Sequence, residues 1–254
     1  MPSNMYGLIG QNIGKSPSQH MFVSAFAELG INASYMIFEP SSIDDLKDFI
    51  HGFAGLNVTI PFKESVLEAI DGADRVAGEI GAANVIKKNG DMLQGYNTDW
   101  IAAVESLKSK TPVWQKRVAI IGAGGAARSI AYGLRGVSDM TIFNRSPERA
   151  ESLARIFKCS AGKLDEMKDG WDIIINCTPA LDFLPLPANA LPGAFIFDMA
   201  YRKTKLLEEA EGTGCKTLDG KEMLARQAAL AFGIWTGKKI GWEYMLGKAN
   251  EALK

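Results

Sequence analysis

Residues Val118-Ala-Ile-Ile-Gly122-Ala123-Gly124-Gly125-Ala126-Ala127 form an apolar run that ends in glycines and small residues. The spacing is G-x-G-x-x-A, placed where an apolar strand would turn into a helix, which is the pattern that cradles a dinucleotide pyrophosphate. Gly122 permits the tight turn, Gly124 lets the backbone approach the pyrophosphate, and Ala127 lets the helix pack closely on the strand. Free amides at the helix start then face the anion. The alternative is a glycine-rich turn that binds nothing. An NAD-binding unit carries Asp or Glu about 20 residues after the first glycine, to hold the ribose 2′-hydroxyl. Here the second strand, Met140-Thr-Ile-Phe143, is followed by Asn144-Arg145-Ser146-Pro147-Glu148-Arg149, so Arg145 stands where the acid would be. Arg145 and Arg149 are four apart at a helix start, and a planar guanidinium suits a phosphate dianion. The pattern points to NADP(H) rather than NAD, the alternative being two solvated surface arginines.

Three polar clusters interrupt apolar segments elsewhere. Asn57-Val-Thr59-Ile-Pro61-Phe-Lys63 joins a strand to an expected helix. A cation at a helix start opposes the helix dipole, so Lys63 is either an exposed surface lysine or a residue placed there for chemistry. In Gly95-Tyr-Asn97-Thr98-Asp99, helix capping and function explain the string equally well. Gly81-Ala-Ala-Asn84 places a polar amide at the opening of an apolar strand.

The elements that must position these groups alternate along the chain. Strands are expected at 5–10, 34–38, 54–59, 83–87 and 91–95, the last two joined by a tight turn at Asn89-Gly90. Helices are expected at 17–30, 42–51 (capped by Ser41 or Ser42), 62–70, 73–80 and 98–109. Lys110-Thr-Pro112 is the candidate hinge before a second set, with strands near 117–121, 140–143, 172–176 and 194–198 and helices after the first two. Helices over 220–235 and 239–253 close the chain. Such alternation predicts an α/β protein of two domains, with parallel sheets covered on both faces and a cleft between the domains.

Composition limits the function classes. The 254 residues carry a net charge of −1 with both signs interspersed, which speaks against nucleic acid and against an anionic membrane surface as partner. Cys159, Cys177 and Cys215 form no C-x-x-C pair, and His20 and His51 show no metal-ligand spacing, so neither a disulfide framework nor a metal site is expected. No apolar run approaches the roughly 18 residues of a membrane span, and residues 5–9 enter a strand without a basic leader. The expectation is a soluble, cytoplasmic enzyme acting on a small molecule, as a monomer or a homodimer. The final helix is expected to pack on its own domain rather than to form a dimer contact.

Over essentially its full length the chain resembles the shikimate dehydrogenase family. The strings that carry the resemblance are Ser16-Pro-x-x-His20, Asn57-Val-Thr-x-Pro-x-Lys63, Gly81-Ala-x-Asn84, Asn97-Thr-Asp99 and Gly122-x-Gly-Gly-Ala-Ala127. They continue with Asn144-Arg145-Ser146, Ile175-Asn-x-Thr178-Pro179, Asp198-x-x-Tyr201 and Gly220-x-x-Met223-Leu-x-x-Gln227, all in the family's order. The resemblance implies reversible, NADPH-dependent reduction of 3-dehydroshikimate to shikimate. It implies a substrate domain of residues 1–99 and 222–254, with a Rossmann NADP-binding domain, 100–221, inserted between. It makes Lys63 and Asp99 the catalytic pair, Lys63 giving a proton to the alkoxide oxygen and Asp99 holding a substrate hydroxyl and orienting the lysine. Ser16, Thr59, Asn84, Tyr201 and Gln227 become substrate-binding residues. Gly122, Ala123, Gly124, Gly125, Ala126, Asn144, Arg145, Ser146, Arg149, Met199 and Gly220 become cofactor-binding residues. Gln227 is open to a second reading as a satisfied core amide.

One departure concerns the substrate carboxylate. Family members usually read Gly-Asn-Pro-Ile-x-His-Ser-x-Ser-Pro-x-x-His near the N-terminus, and the two serines with the downstream tyrosine grip the carboxylate. Here Gly10-Gln-Asn-Ile13-Gly14-Lys15-Ser16-Pro17-Ser18-Gln19-His20 is two residues shorter and lacks the His-Ser pair. Losing one hydrogen bond to a charged group costs roughly 1.5–3 kcal/mol of binding. Ser18 substitutes only if the loop is redrawn, and Lys15 is either a replacement charge or solvated. A second departure is Thr178-Pro179-Ala180-Leu181-Asp182, where glycine and methionine are common. The alternatives are a quinate or aminoshikimate dehydrogenase of the same family, a catalytically silent NADP-binding sensor and, more distantly, a methylene-tetrahydrofolate-type dehydrogenase.

Overall fold

A computed structural model of the chain describes residues 4–47, 49–136, 138–182 and 184–254. The chain forms two compact units, one of Met1–Thr98 with Ala225–Lys254, the other of Asp99–Leu224. Lys110-Thr-Pro112, the expected hinge, lies inside the second unit. The change of unit falls instead at Thr98 and again within the helix that carries Leu224 and Ala225.

The first unit contains β1 (Asn4–Ile9), α1 (Ser18–Glu28), β2 (Ala33–Phe38), α2 (Ile43–Lys47), β3 (Gly55–Val58), β4 (Gly72–Ala73), α3 (Arg75–Ile80), β5 (Val85–Asn89) and β6 (Met92–Tyr96). Its sheet runs β2-β1-β3-β5-β6-β4. β1 is parallel to β2 and β3, whereas β5 is antiparallel to both β3 and β6. The sheet is therefore mixed, with the hairpin expected at Asn89-Gly90 as one of its antiparallel pairs. The Asn89-Gly90 turn, with Gly90 at φ +63°, makes β5 and β6 antiparallel, because a two-residue connection can join only antiparallel strands.

The second unit contains α4 (Asp99–Lys108), β7 (Lys116–Ile121), α5 (Gly125–Leu134), β8 (Ser138–Asn144), α6 (Pro147–Phe157), β9 (Ser160–Lys163), β10 (Ile173–Asn176), β11 (Phe195–Asp198), α7 (Lys205–Gly212) and β12 (Thr217–Leu218). α8 (Lys221–Thr236) begins in this unit and ends in the first, to which α9 (Trp242–Ala252) also belongs. The second sheet runs β12-β11-β10-β7-β8-β9, every pair parallel. Counted from β7, this is the 3-2-1-4-5-6 order of a doubly wound dinucleotide fold. Its strands read as continuous apolar runs because both faces are covered, and β10 (Ile-Ile-Ile-Asn) is buried throughout.

Aromatic packing holds the end of α8 against the first sheet. Phe22 stacks on Tyr35 at 4.6 Å, Tyr6 meets Trp235 at 5.0 Å and Phe26 meets Phe232 at 5.4 Å between ring centroids. The Trp235 indole N–H donates to the Ile86 carbonyl at 2.8 Å, and its ring lies so close to Gly55 that a Cβ there would overlap it.

Two expected helices are shorter than their patterns suggest. The 42–51 segment divides into α2 and a 3₁₀ turn at Ile50–Gly52. Ser42 and Asp45 cap it reciprocally, the Asp45 N–H donating to the serine Oγ and the Ser42 N–H to the carboxylate. The 62–70 segment holds only a 3₁₀ turn at Ser65–Glu68. Directly after it the Asp71 N–H donates to the Leu93 carbonyl and draws the chain into β4, leaving no room for further α-helical turns. Lys63 therefore does not stand at an α-helix start, and the dipole argument for it falls.

Candidate functional site

In the second unit the strand order reverses between β7 and β10, and in open α/β sheets ligands bind beyond the carboxyl ends of strands at such a point. Gly122 follows β7 with φ +107°, a conformation that excludes ordinary side chains. Its N–H donates to the Phe143 carbonyl at 2.7 Å, and a Cβ there would stand 3.3 Å from the Thr178 methyl group. The extended Gly124 precedes α5, so Gly125 and Ala126 open the helix with their amides. Ala127 is fully buried. The strand–turn–helix expected for a pyrophosphate cradle is present.

Beyond the end of β8, Asn144 and Arg145 line a cavity of about 460 Å³ with Lys163, Asp165, Leu184 and Pro187. Ser146 precedes α6 and its carbonyl accepts from the Asn144 side-chain amide at 3.1 Å. Glu148 lies inside α6, as expected. Arg149 is exposed in the first turn and is not among the residues lining the cavity, so of the expected arginine pair only Arg145 faces it. Lys163 escaped the sequence reading because β9 (Ser-Ala-Gly-Lys) has no apolar pattern. The strand forms where Gly162 accepts the Phe143 ring, which a Cβ would meet at 2.5 Å.

A buried polar node follows β10 and β11. The Asp198 carboxylate accepts from the Asn176 amide (3.2 Å), the Ala200 N–H (3.0 Å) and the Thr204 hydroxyl (2.7 Å). Burial raises the Asp198 carboxyl above its ordinary value although each of these donors pulls it down. Thr178 is tied to the same node, donating both its N–H and its hydroxyl to the Asn176 Oδ1. The node fixes the turn carrying Met199, whose carbonyl sits so close to Gly220 that any Cβ would overlap it. Met199 and Gly220, both expected to serve the cofactor, are thus neighbours. Tyr201 follows two residues later, with the Arg202 guanidinium 5.9 Å from its ring centroid.

In the first unit, residues from distant parts of the chain converge on Asn84, which is 2% exposed. Its side-chain amide donates to the Thr98 hydroxyl (2.9 Å) and to the Gln227 Oε1 (3.3 Å), and its Oδ1 accepts from the Thr98 N–H (2.7 Å). The Thr98 hydroxyl also reaches the Gln227 carbonyl at 3.3 Å. The Lys63 carbonyl accepts from the N–H of Ala83, the residue before Asn84, at 2.8 Å. Thr59 is half-buried and its N–H donates to the Ile9 carbonyl. Gln227 is half-buried and bonded through both side chain and backbone. Asp99, 3% exposed, is the first residue of α4 in the second unit, directly after Thr98.

The shortened loop before α1 is redrawn around Glu39. Its carboxylate accepts from the backbone N–H groups of Asn12 and Ile13, each at 3.1 Å, with Asn12 at φ +56°. Ser16 donates its hydroxyl to the Ser18 Oγ at 3.0 Å and accepts from the Ser18 N–H at 3.3 Å. Two hydroxyls therefore stand together at the start of α1. Among the described residues no group of three or more His, Cys, Asp or Glu could hold a metal ion, and no helix is long and apolar enough to cross a membrane.

Comparison with known proteins adds to this geometry. Residues 8–86 match a family model described as the shikimate dehydrogenase substrate binding domain, and residues 105–187 one described as shikimate / quinate 5-dehydrogenase. A Pyrococcus abyssi protein named shikimate dehydrogenase (NADP(+)) is 37% identical over 244 residues, covering 92% of each chain. Its namesake from Haloarcula marismortui is 38% identical over 267 residues, covering 98% of this chain and 100% of that one. The crystal structure of shikimate 5-dehydrogenase from Thermus thermophilus, in complex with NADP(H) and shikimate, has a TM-score of 0.88 at 32% identity and covers 98% of this chain and 99% of that chain.

Proposed function

The chain belongs to the shikimate dehydrogenase family, and from that membership we propose that it is an NADP-dependent oxidoreductase that reversibly reduces 3-dehydroshikimate to shikimate. We assign it to the cytoplasm and to the biosynthesis of aromatic amino acids. The supporting observation is the convergence of Asn84, Thr98 and Gln227 on one hydrogen-bonded cluster, with Lys63 tied to it through Ala83. Polar side chains so placed suit a substrate with several hydroxyls. Residues 1–99 and 222–254 form the substrate-binding domain, and 100–221 the NADP-binding domain.

The residues present fit NADP(H). The left-handed Gly122 and the opening amides of α5, with Ala123, Gly124, Gly125 and Ala126, suit the pyrophosphate. Asn144 and Arg145, which line the cavity after β8, suit the ribose phosphate, with Ser146 and Arg149 next to them in sequence, and Met199 with Gly220 suit the nicotinamide end. When bound, NADPH supplies the hydride. As the ketone carbon is reduced its oxygen must gain a proton, and the Lys63 ammonium donates it, an assistance typically worth about 10²–10⁴-fold. In the reverse direction the Lys63 amine takes the proton back. Asp99 accepts a hydrogen bond from a substrate hydroxyl, Asn84 and Gln227 hold other ring hydroxyls, and Thr59 adds a further contact. Ser16 and Tyr201 bind the carboxylate.

The redrawn loop favours one second reading, a family member acting on quinate or an amino analogue. The test is absorbance at 340 nm with NADP⁺ and shikimate, quinate or aminoshikimate in turn. The proposal expects the highest kcat/KM with shikimate, and a preference for quinate or aminoshikimate would establish the second reading. No turnover with any of the three would leave a cofactor-binding sensor.

A further inference from the structure

Lys163 is the last residue of β9, and the parallel register pairs it with Asn144, the last residue of β8. The segments that continue from them, through Arg145 and through Leu164 and Asp165, leave the sheet side by side and line the open 460 Å³ cavity together with Leu184–Pro187. The wall opposite is apolar. Arg145 and Lys163 are the cations among the described lining residues, and Asp165 is the acid.

The position in the sheet identifies the anion. β8 and β9 are the first and second strands beyond β7, and adjacent strands lie about 4.8 Å apart. A dinucleotide anchored by its pyrophosphate at the turn after β7 brings its adenosine ribose to the end of the next strand. The cavity is therefore where a phosphate on that ribose distinguishes NADP(H) from NAD(H).

Lys163 is poised for such an exchange. Its ammonium rests 3.2 Å from a Glu166 carboxylate oxygen, in a pair with side chains 59% and 66% exposed. Exposed pairs of this kind are weak, and the lysine stem is flexible. A phosphate dianion offers a stronger partner than one solvated carboxylate.

We infer that Lys163 is a second cation for the 2′-phosphate of NADP(H), acting with Arg145, and so helps determine the preference for NADP over NAD. The inference rests on the cofactor reading given above. Its test is the dissociation constant of the full chain for NADP⁺ and for NAD⁺ by calorimetry, in wild type, Lys163→Gln, Lys163→Arg and Glu166→Gln. Lys163→Gln should weaken NADP⁺ about tenfold and leave NAD⁺ within about twofold, whereas Lys163→Arg keeps NADP⁺ affinity. Glu166→Gln, which frees the lysine, should hold or tighten NADP⁺. An unchanged NADP⁺ affinity in Lys163→Gln would reduce Lys163 to a surface ion pair, and equal weakening of both nucleotides would make its role structural. Either result overturns the inference while the cofactor reading stands. A wild type that binds both nucleotides equally overturns the cofactor reading, and the inference with it.

Discussion

Asp198 carries three donors and no solvent exposure, and its titration is the residue-scale property most open to measurement. Because burial holds its carboxyl above the ordinary value of 3.8, its contribution to stability is complete below that value and is lost as pH rises through the raised one. The urea midpoint of the wild type, taken relative to Asp198→Asn, should therefore fall as pH rises from below 3.8 toward neutrality. A difference that rises or stays level over that range would contradict the assignment. At this scale the glycine turn was legible, because Gly122 occupies a backbone conformation that its residue type announces. Lys63 was singled out by a dipole that no helix there supplies. The bond between Asn84 and Gln227 joins residues 143 apart in sequence, and nothing local encodes it. Only the family resemblance placed the two in one role.

Elements were legible where an apolar pattern or a turn signal ran long enough. The Asn89-Gly90 hairpin and the buried strands β7 and β10 lie close to their expected positions. β4 and β12 have two residues each, too few for any period, and β9 is held by packing of Phe143 on Gly162 rather than by pattern. α7 carried a usable signal that was missed: the Thr204 hydroxyl caps it by accepting the Leu207 N–H at 3.2 Å. Trp235 anchors the end of α8. Trp235→Ala removes an indole that is 6% exposed, its bond to Ile86 and its contacts with Tyr6 and Phe22. The expected cost is about 3–5 kcal/mol of stability, read as a lowered urea midpoint. A loss under about 1 kcal/mol would show that other contacts hold α8 in place.

For the whole molecule, the alternation of strands and helices revealed the α/β class and two units, yet not where the chain passes between them. Lys110-Thr-Pro112 has the composition of a hinge, but the change of unit falls at Thr98 and inside α8, where the sequence pattern is continuous. Helix periodicity carries no mark of which unit a turn packs on. The proposed function also divides the chemistry between the units: it has the first supply the proton through Lys63 and the second carry the nucleotide. The measurement that tests this division most directly is turnover of Lys63→Ala with NADPH and 3-dehydroshikimate, taken beside its dissociation constant for NADPH. The expected result is a kcat lower by about a hundredfold or more with NADPH affinity within about twofold. Turnover that survives the substitution undiminished would contradict it.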